Sequence, residues 1–169
     1  MTRISFSDDG YGDYWDAVIE STEKLDLRSK ESVYAEVSFY HAVQRYDIDA
    51  SGMCSPAALW RWFEEAEGAL LERVGLEPGF CFRLLAVHQE MDYRRRLRHA
   101  DEVEIRLAIA GVGRSTVCYR LRAEHDGQIC MSGRTVRVLV DPATGGCQPW
   151  PDMVRTLLTR SPDSDDRAR

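Results

Sequence analysis

The chain has 169 residues, 44% of them hydrophobic and 30% charged, with a formal net charge of −6. That length fits one domain, or one domain with tails, and can bury a real core. No apolar run approaches the ~18 residues that cross a bilayer, and an acidic balance disfavours a nucleic-acid binder, which needs a basic face to neutralise phosphates.

Residues 1–32 are polar and acidic, with a short helix expected around 14–24, and form an N-terminal extension. They open without a basic start followed by an apolar core, so no secretory leader is read and the expected location is cytoplasmic. From Val33 the pattern becomes period two, with Val33, Ala35, Val37, Phe39 and His41 on one face and Glu36, Ser38 and Tyr40 on the other. This predicts a first strand that runs to about Tyr46.

Next comes DIDASGMCSPAALWRWFEEAE, where Ser55 is a candidate N-cap and Pro56 takes the first helical position, at which its missing N–H costs nothing. Leu59, Phe63, Ala66, Leu70 and Val74 then make one apolar stripe of about five turns, with Trp60, Glu64, Glu67 and Leu71 facing elsewhere and Gly75 as the stop. After the helix only strands are predicted, over 80–93, 101–112, 114–125 and 128–140, with a hairpin turn at Asp126-Gly127. Ile129 and Met131 are out of phase with Val136, Val138 and Val140, which predicts a bulge near Ser132-Gly133. A loop, a final short helix in DMVRTLLTR and a disordered tail over 161–169 complete the chain. One long helix between a first strand and an antiparallel set must lay its stripe on one sheet face, which is an α+β layout with its domain at 33–160.

Cys54, Cys81, Cys118, Cys130 and Cys147 are scattered, odd in number and free of any C-x-x-C pair, so they read as small core residues and not as a disulfide framework or zinc site. No ligand spacing points to a metal, and no cofactor is expected.

The turn and helix carry a resemblance. Asp49 and Gly52 in DIDASGM, the helix start LWRWFEEA, Tyr93 followed by HADEVEI, GRSTV and the closing VRVLVDPATG together resemble the hotdog-fold acyl-CoA thioesterases of the 4-hydroxybenzoyl-CoA thioesterase type, over about residues 37–155. The resemblance implies an antiparallel sheet wrapped around one long central helix, with protomers pairing their sheets into a dimer or tetramer whose active sites lie at the interface. It implies hydrolysis of an acyl-CoA or acyl-carrier-protein thioester, as in polyketide biosynthesis among other settings. Asp49 is then the nucleophile or general base, with helix N-terminal amides, those of Ala57 and Ala58, as oxyanion donors. Gly52, Met53, Ser55, Pro56 and Trp60 would line the substrate pocket. Arg94, Arg95, Arg96 and Arg114 would meet the phosphates of coenzyme A or of a phosphopantetheine arm.

The sequence departs from that pattern at one point. Relatives of this type polarise the thioester carbonyl with the backbone N–H at the position of Pro56, and proline has none. A non-hydrolytic hotdog protein (a dehydratase, isomerase or cyclase) and a noncatalytic binding module therefore stay open beside the thioesterase. So do plainer roles: Asp49 as a carboxylate that favours the helix dipole, Asp47 as an exposed or structural acid, the arginines as a solvated turn, and Glu64, Glu65, His41 and His88 as ordinary helix and strand residues.

Overall fold

The computed structural model describes residues 34–160, the side chain of Phe82 excepted. The expected helix at 14–24, the rest of the N-terminal extension and the C-terminal tail lie outside the described residues.

Strand β1 spans Glu36–Ala42 and alternates exposed and half-buried positions as its period-two pattern demands. It ends four residues earlier than the pattern predicts, because Arg45–Asp47 winds into a 3-10 turn. The Gln44 amide donates to the Asp47 carboxylate at 2.8 Å, and the Val43 amide donates to the Asp101 carbonyl at 2.9 Å. A buried carboxylate reached by a backbone donor offers the chain a better partner than a continued edge.

Helix α1 is Pro56–Arg73, with Pro56 in its first turn and Ser55 as N-cap. Ser55 Oγ accepts the Ala58 amide at 3.1 Å, and Gly75, at φ +96°, lets the chain leave the helix. Ser55→Ala should lower stability by about 1 kcal/mol, read as a shift of the urea midpoint at constant slope.

The buried face of α1 holds Ala58, Leu59, Trp62, Phe63, Ala66, Glu67, Leu70 and Leu71. It is wider than the stripe read from spacing, and it corrects the expectation that Glu67 and Leu71 face elsewhere. The helix packs on β1, on β3 (Glu102–Val112) and on a 3-10 turn at Phe80–Arg83, so neighbours close on it from more than one direction.

That 3-10 turn replaces the start of the strand expected at 80, and β2 runs only over Leu84–Tyr93. Strands β4 (Thr116–His125) and β5 (Gln128–Leu139) follow, joined by Asp126 and Gly127, both at positive φ, as a tight hairpin turn requires. The five strands form one antiparallel sheet in the order β1-β3-β4-β5-β2.

In β5 the predicted bulge is present but lies earlier, at Cys130, since Ala123 pairs with Met131 and Glu124 with Ile129. Gly133 instead serves a close crossing: a Cβ there would sit 2.3 Å from the Glu90 carbonyl oxygen. No shift falls between Met131 and Val138, so plain alternation puts Met131, Arg137 and Leu139 on one face and Val136 and Val138 on the other. Met131 and Leu139 join the main core under α1, whereas Val138 packs with Val87, Val140 and Cys147 in a separate cluster.

Helix α2, Asp152–Leu158, closes the core with Val154 and Leu158. Trp150 fastens it: its Nε1 donates to the Thr116 carbonyl at 3.1 Å and its ring stacks on Phe80. No disulfide joins any of the five cysteines, and among the described residues no helix is long and apolar enough to cross a membrane.

Candidate active site

The segment between β1 and α1 folds back on itself as a closed turn. At its base the Ser55 amide donates to the Asp47 carbonyl at 2.8 Å, and the next pair inward, Ile48 and Cys54, forms a β-bridge. At its tip the Asp49 amide donates to the Met53 carbonyl at 2.9 Å and the Gly52 amide to the Asp49 carbonyl at 3.0 Å. Gly52 sits at φ +77°, a conformation that favours glycine.

This geometry gives the two aspartates opposite environments. Asp49 is exposed at the tip, where Ser51 Oγ and the Ser51 amide both donate to its Oδ1, at 2.5 and 2.8 Å. The Ser51 hydroxyl bond, then its amide bond, hold the Asp49 carboxyl below the ordinary aspartate range. The group is ionised through the neutral range and open to an incoming molecule.

Asp47, expected as an exposed or structural acid, is wholly buried. It pairs with Arg61 of α1, meets His41 Nε2 of β1 at 3.3 Å and accepts the Gln44 amide. His41 in turn lies over Trp62, with ring centroids 4.2 Å apart, and Arg61 caps the Tyr46 ring.

The first turn of α1 offers fewer donors than its sequence implies. Pro56 has no N–H, the Ala58 amide is taken by Ser55 Oγ, and the Leu59 amide turns to the Ser55 carbonyl. The Ala57 amide remains, exposed and with no acceptor among the described residues. The Ala58 amide, expected as an oxyanion donor beside that of Ala57, is engaged as part of the helix cap.

Beside the turn lies a cavity of about 160 Å³ walled by Met53, Cys54, Leu59, Leu97, Cys130 and Met131, with Tyr93, Arg95 and Arg96 at its polar side. Met53 thus reaches this cavity. Gly52, Ser55 and Pro56 stay on the turn and helix start, while Trp60 is half-buried one helical turn on, edge-to-face with Phe63 at 6.2 Å. Burial keeps the Cys54 thiol protonated, pushed up to about 12, so it is an inert wall and no rival nucleophile.

The arginines do not converge. Arg94 and Arg95 follow β2, their amides both on the Cys130 carbonyl, but Arg94 joins Arg106, Arg120, Arg122 and Arg134 in a separate depression away from the cavity. Arg114 lies in the β3–β4 turn, at the other end of the sheet, roughly 30 Å away for a strand of ten residues at about 3.3 Å each. Of the four arginines expected to meet a phosphate, Arg95 and Arg96 line the cavity beside the Asp49 turn. Glu64 and Glu65 are exposed on α1, and His88 pairs with Glu90 on the surface.

One polar cluster escaped the sequence reading. Glu67 Oε2 meets Arg137 Nη2 at 3.0 Å between α1 and β5, with Tyr119 of β4 facing the pair. Burial pushes the Glu67 carboxyl up to about 7 against the opposing pull of Arg137. The same burial, reinforced by Glu67, raises the fully buried Tyr119 hydroxyl. Among the described residues Arg137 Nε lacks a hydrogen-bond partner. The signal in the sequence was slight: an arginine within the valine run TVRVLV, and a glutamate next to the apolar stripe.

A family model described as the thioesterase-like superfamily matches residues 43–158, which takes in the turn, α1, the whole of β2 to β5 and α2. The chain belongs to the thioesterase-like superfamily. Superfamily membership places it among thioester hydrolases, ahead of the dehydratase, isomerase or cyclase alternative. It is similar to a 1,4-dihydroxy-2-naphthoyl-CoA hydrolase of Synechococcus elongatus, at 27% identity over 76% of this chain and 99% of that protein. Its fold is that of a predicted thioesterase from Bacillus stearothermophilus (TM-score 0.67, 22% identity, 73% of this chain and 94% of the other). It is also that of 4-hydroxybenzoyl-CoA thioesterase from Pseudomonas sp. strain CBS-3 (TM-score 0.66, 17% identity, 73% and 99%). The sheet and central helix are thus those of the hotdog thioesterases.

Proposed function

We propose that this superfamily member hydrolyses the thioester of a compact, aromatic acyl-CoA, with Asp49 as nucleophile or general base and the Ala57 amide as oxyanion donor. The observation that carries this reading is the Asp49 turn itself: an ionised carboxylate, oriented by Ser51 and open to solvent, is held beside the N-terminus of α1, where one amide is free. A thioester carbonyl is electrophilic enough for one carboxylate and one donor to suffice.

Two observations support the acyl group. The adjoining cavity of about 160 Å³ is walled mainly by apolar side chains, comparable to the ~150 Å³ apolar cavity that holds benzene. The curated cyanobacterial relative is named for a two-ring aromatic acyl-CoA. Arg95 and Arg96 are the arginines placed to meet a phosphate or carboxylate near this mouth. Coenzyme A is favoured over an acyl carrier protein because the relative is named for the CoA thioester.

The working unit in this proposal is a dimer. Strand β2 is a sheet edge of ten residues whose outer side is unpaired among the described residues, with Leu85 and Tyr93 about half exposed. A long edge of that kind is a template for pairing, and a second copy would bring further residues to the Asp49 turn.

The test is a panel of aromatic and aliphatic acyl-CoA thioesters, followed by thiol release and by mass analysis of the acyl product. One free thiol per free aromatic acid is the expected result. The second reading, a non-hydrolytic step, draws on Pro56 at the position of the missing donor; an altered acyl group still joined to its thiol would establish it in place of hydrolysis.

A further inference from the structure

We infer that Asp47 is the positioning residue for this reaction, holding Asp49 in place by fastening both ends of its turn to one buried acid. The inference rests on the proposed role of Asp49 and goes beyond it.

The evidence is the way a single residue holds four partners drawn from three pieces of the chain. Its carboxylate binds Arg61 on the second turn of α1, His41 near the end of β1 and the Gln44 amide at the start of the 3-10 turn. Its carbonyl accepts the amide of Ser55, the N-cap of α1. The strand that enters the turn, the helix that leaves it and the base of the turn are thus joined at Asp47. Asp49, two residues on, has only the local bonds of Ser51, Gly52 and Met53 to set its place. The turn's other ties are the Ile48–Cys54 bridge and the Cys54 amide on the Leu97 carbonyl at 2.8 Å.

A catalytic role for Asp47 itself does not fit. It has no exposed surface, and its oxygens are occupied by Arg61, His41 and the Gln44 amide. A buried carboxylate with three donors is instead a strong local constraint, because losing its charge leaves Arg61 without its partner and the Gln44 amide facing an unsuitable group.

The decisive variant is Asp47→Asn in the full chain, which keeps the shape and removes the charge. Three measurements are expected to move together. Hydrogen exchange at the Ser55 amide, which the Asp47 carbonyl holds, should speed up at least tenfold relative to amides of β4 and β5. The kcat should fall at least tenfold while KM changes less than threefold. The acid limb of kcat/KM should shift upward as Asp49 loses its fixed donors. That limb does not depend on how much enzyme is active, so it separates positioning from simple loss of folded protein. If Asp47→Asn does not fold, Arg61→Lys makes the same test: it keeps the charge on a half-exposed side chain and removes the planar fork, and all three changes should appear in smaller form.

An unmoved acid limb together with wild-type exchange at Ser55 would overturn the inference. Failure of the proposed function reads differently: Asp49→Asn would then remain active while the exchange result for Asp47→Asn still held.

Discussion

Asp49→Asn is expected to lower thiol release by at least about 10³-fold, with the fold and any oligomer unchanged. The amide occupies the same volume, and its oxygen can still accept from Ser51 Oγ and the Ser51 amide, so the turn keeps its closure. What it loses is the negative charge that attacks the thioester carbonyl or takes the proton from water. Neither remaining acid can substitute. Asp47 is buried and already bound by Arg61, and Glu64 is exposed near Arg137.

The pH dependence follows from the same bonds. Hydrogen bonding from Ser51 holds the Asp49 carboxyl low, so the acid limb of kcat/KM in the native protein should lie below the ordinary aspartate range. Ser51→Ala removes the largest of those bonds and should move the limb upward, with a modest effect on kcat at neutral pH. A low carboxyl is also a weak base, which tilts the two Asp49 roles toward direct attack. Hydrolysis retained by Asp49→Asn across the acyl-CoA panel would sink the assignment.

Much of this layout was legible in the sequence because it is set by local rules. Ser55-Pro56 marks the helix start through capping and the fixed φ of proline, Gly75 its end, and Asp126-Gly127 a turn that demands positive φ. The strands announce themselves by alternation. Elsewhere long-range contacts overrode the pattern. The period-two run continues through Tyr46, yet β1 stops at Ala42 because Asp47 folds back to bind Gln44, His41 and Arg61, two of them its near neighbours and one fourteen residues away. No spacing rule distinguishes Asp47 from Asp49; only the closed turn, which places one inside and one at the tip, does so. The Ala58 amide was likewise read as free, although the N-cap chemistry that identifies Ser55 is what occupies it.

The width of the buried helix face is the other feature that spacing could not supply. A flat sheet would cover only the stripe of Leu59, Phe63, Ala66 and Leu70. Contact with β1, β3 and the Phe80–Arg83 turn covers the flanks as well, and draws Glu67 and Leu71 into the core. In β5 the extra residue expected near Ser132-Gly133 sits at Cys130 instead, so Met131 stays out of phase with the valines and Arg137, on the Met131 face, meets Glu67.

That buried acid leads to a stability prediction with a definite sign. Glu67 has an ordinary carboxyl value of 4.5 and one of about 7 in the folded chain, where burial outweighs the attraction of Arg137. Between those values the folded state holds a proton that the unfolded state has released. Stability therefore falls as pH rises through this window: the contribution is fully present below about 4.5 and lost above about 7. A shift of this size corresponds to a loss on the order of 3 kcal/mol across the window.

Glu67→Gln should abolish that slope, because an amide does not titrate. The variant also leaves Arg137 with only the more distant Glu64 carboxylate, at 3.9 Å, which lowers its whole curve without tilting it. The slope of the difference, not its height, is thus the readout. Urea unfolding of both proteins from pH 4.5 to 8 gives it directly, since Asp49 and Glu90, whose carboxyls are held low, act chiefly on the acid side of the window and are common to both chains. Parallel curves would show that Arg137 holds Glu67 ionised throughout, and that the pair is an ordinary buried salt bridge. Curves that are not parallel, with the native protein losing ground on the variant as the solution is made neutral, would show that α1 is seated on the sheet through a protonated acid.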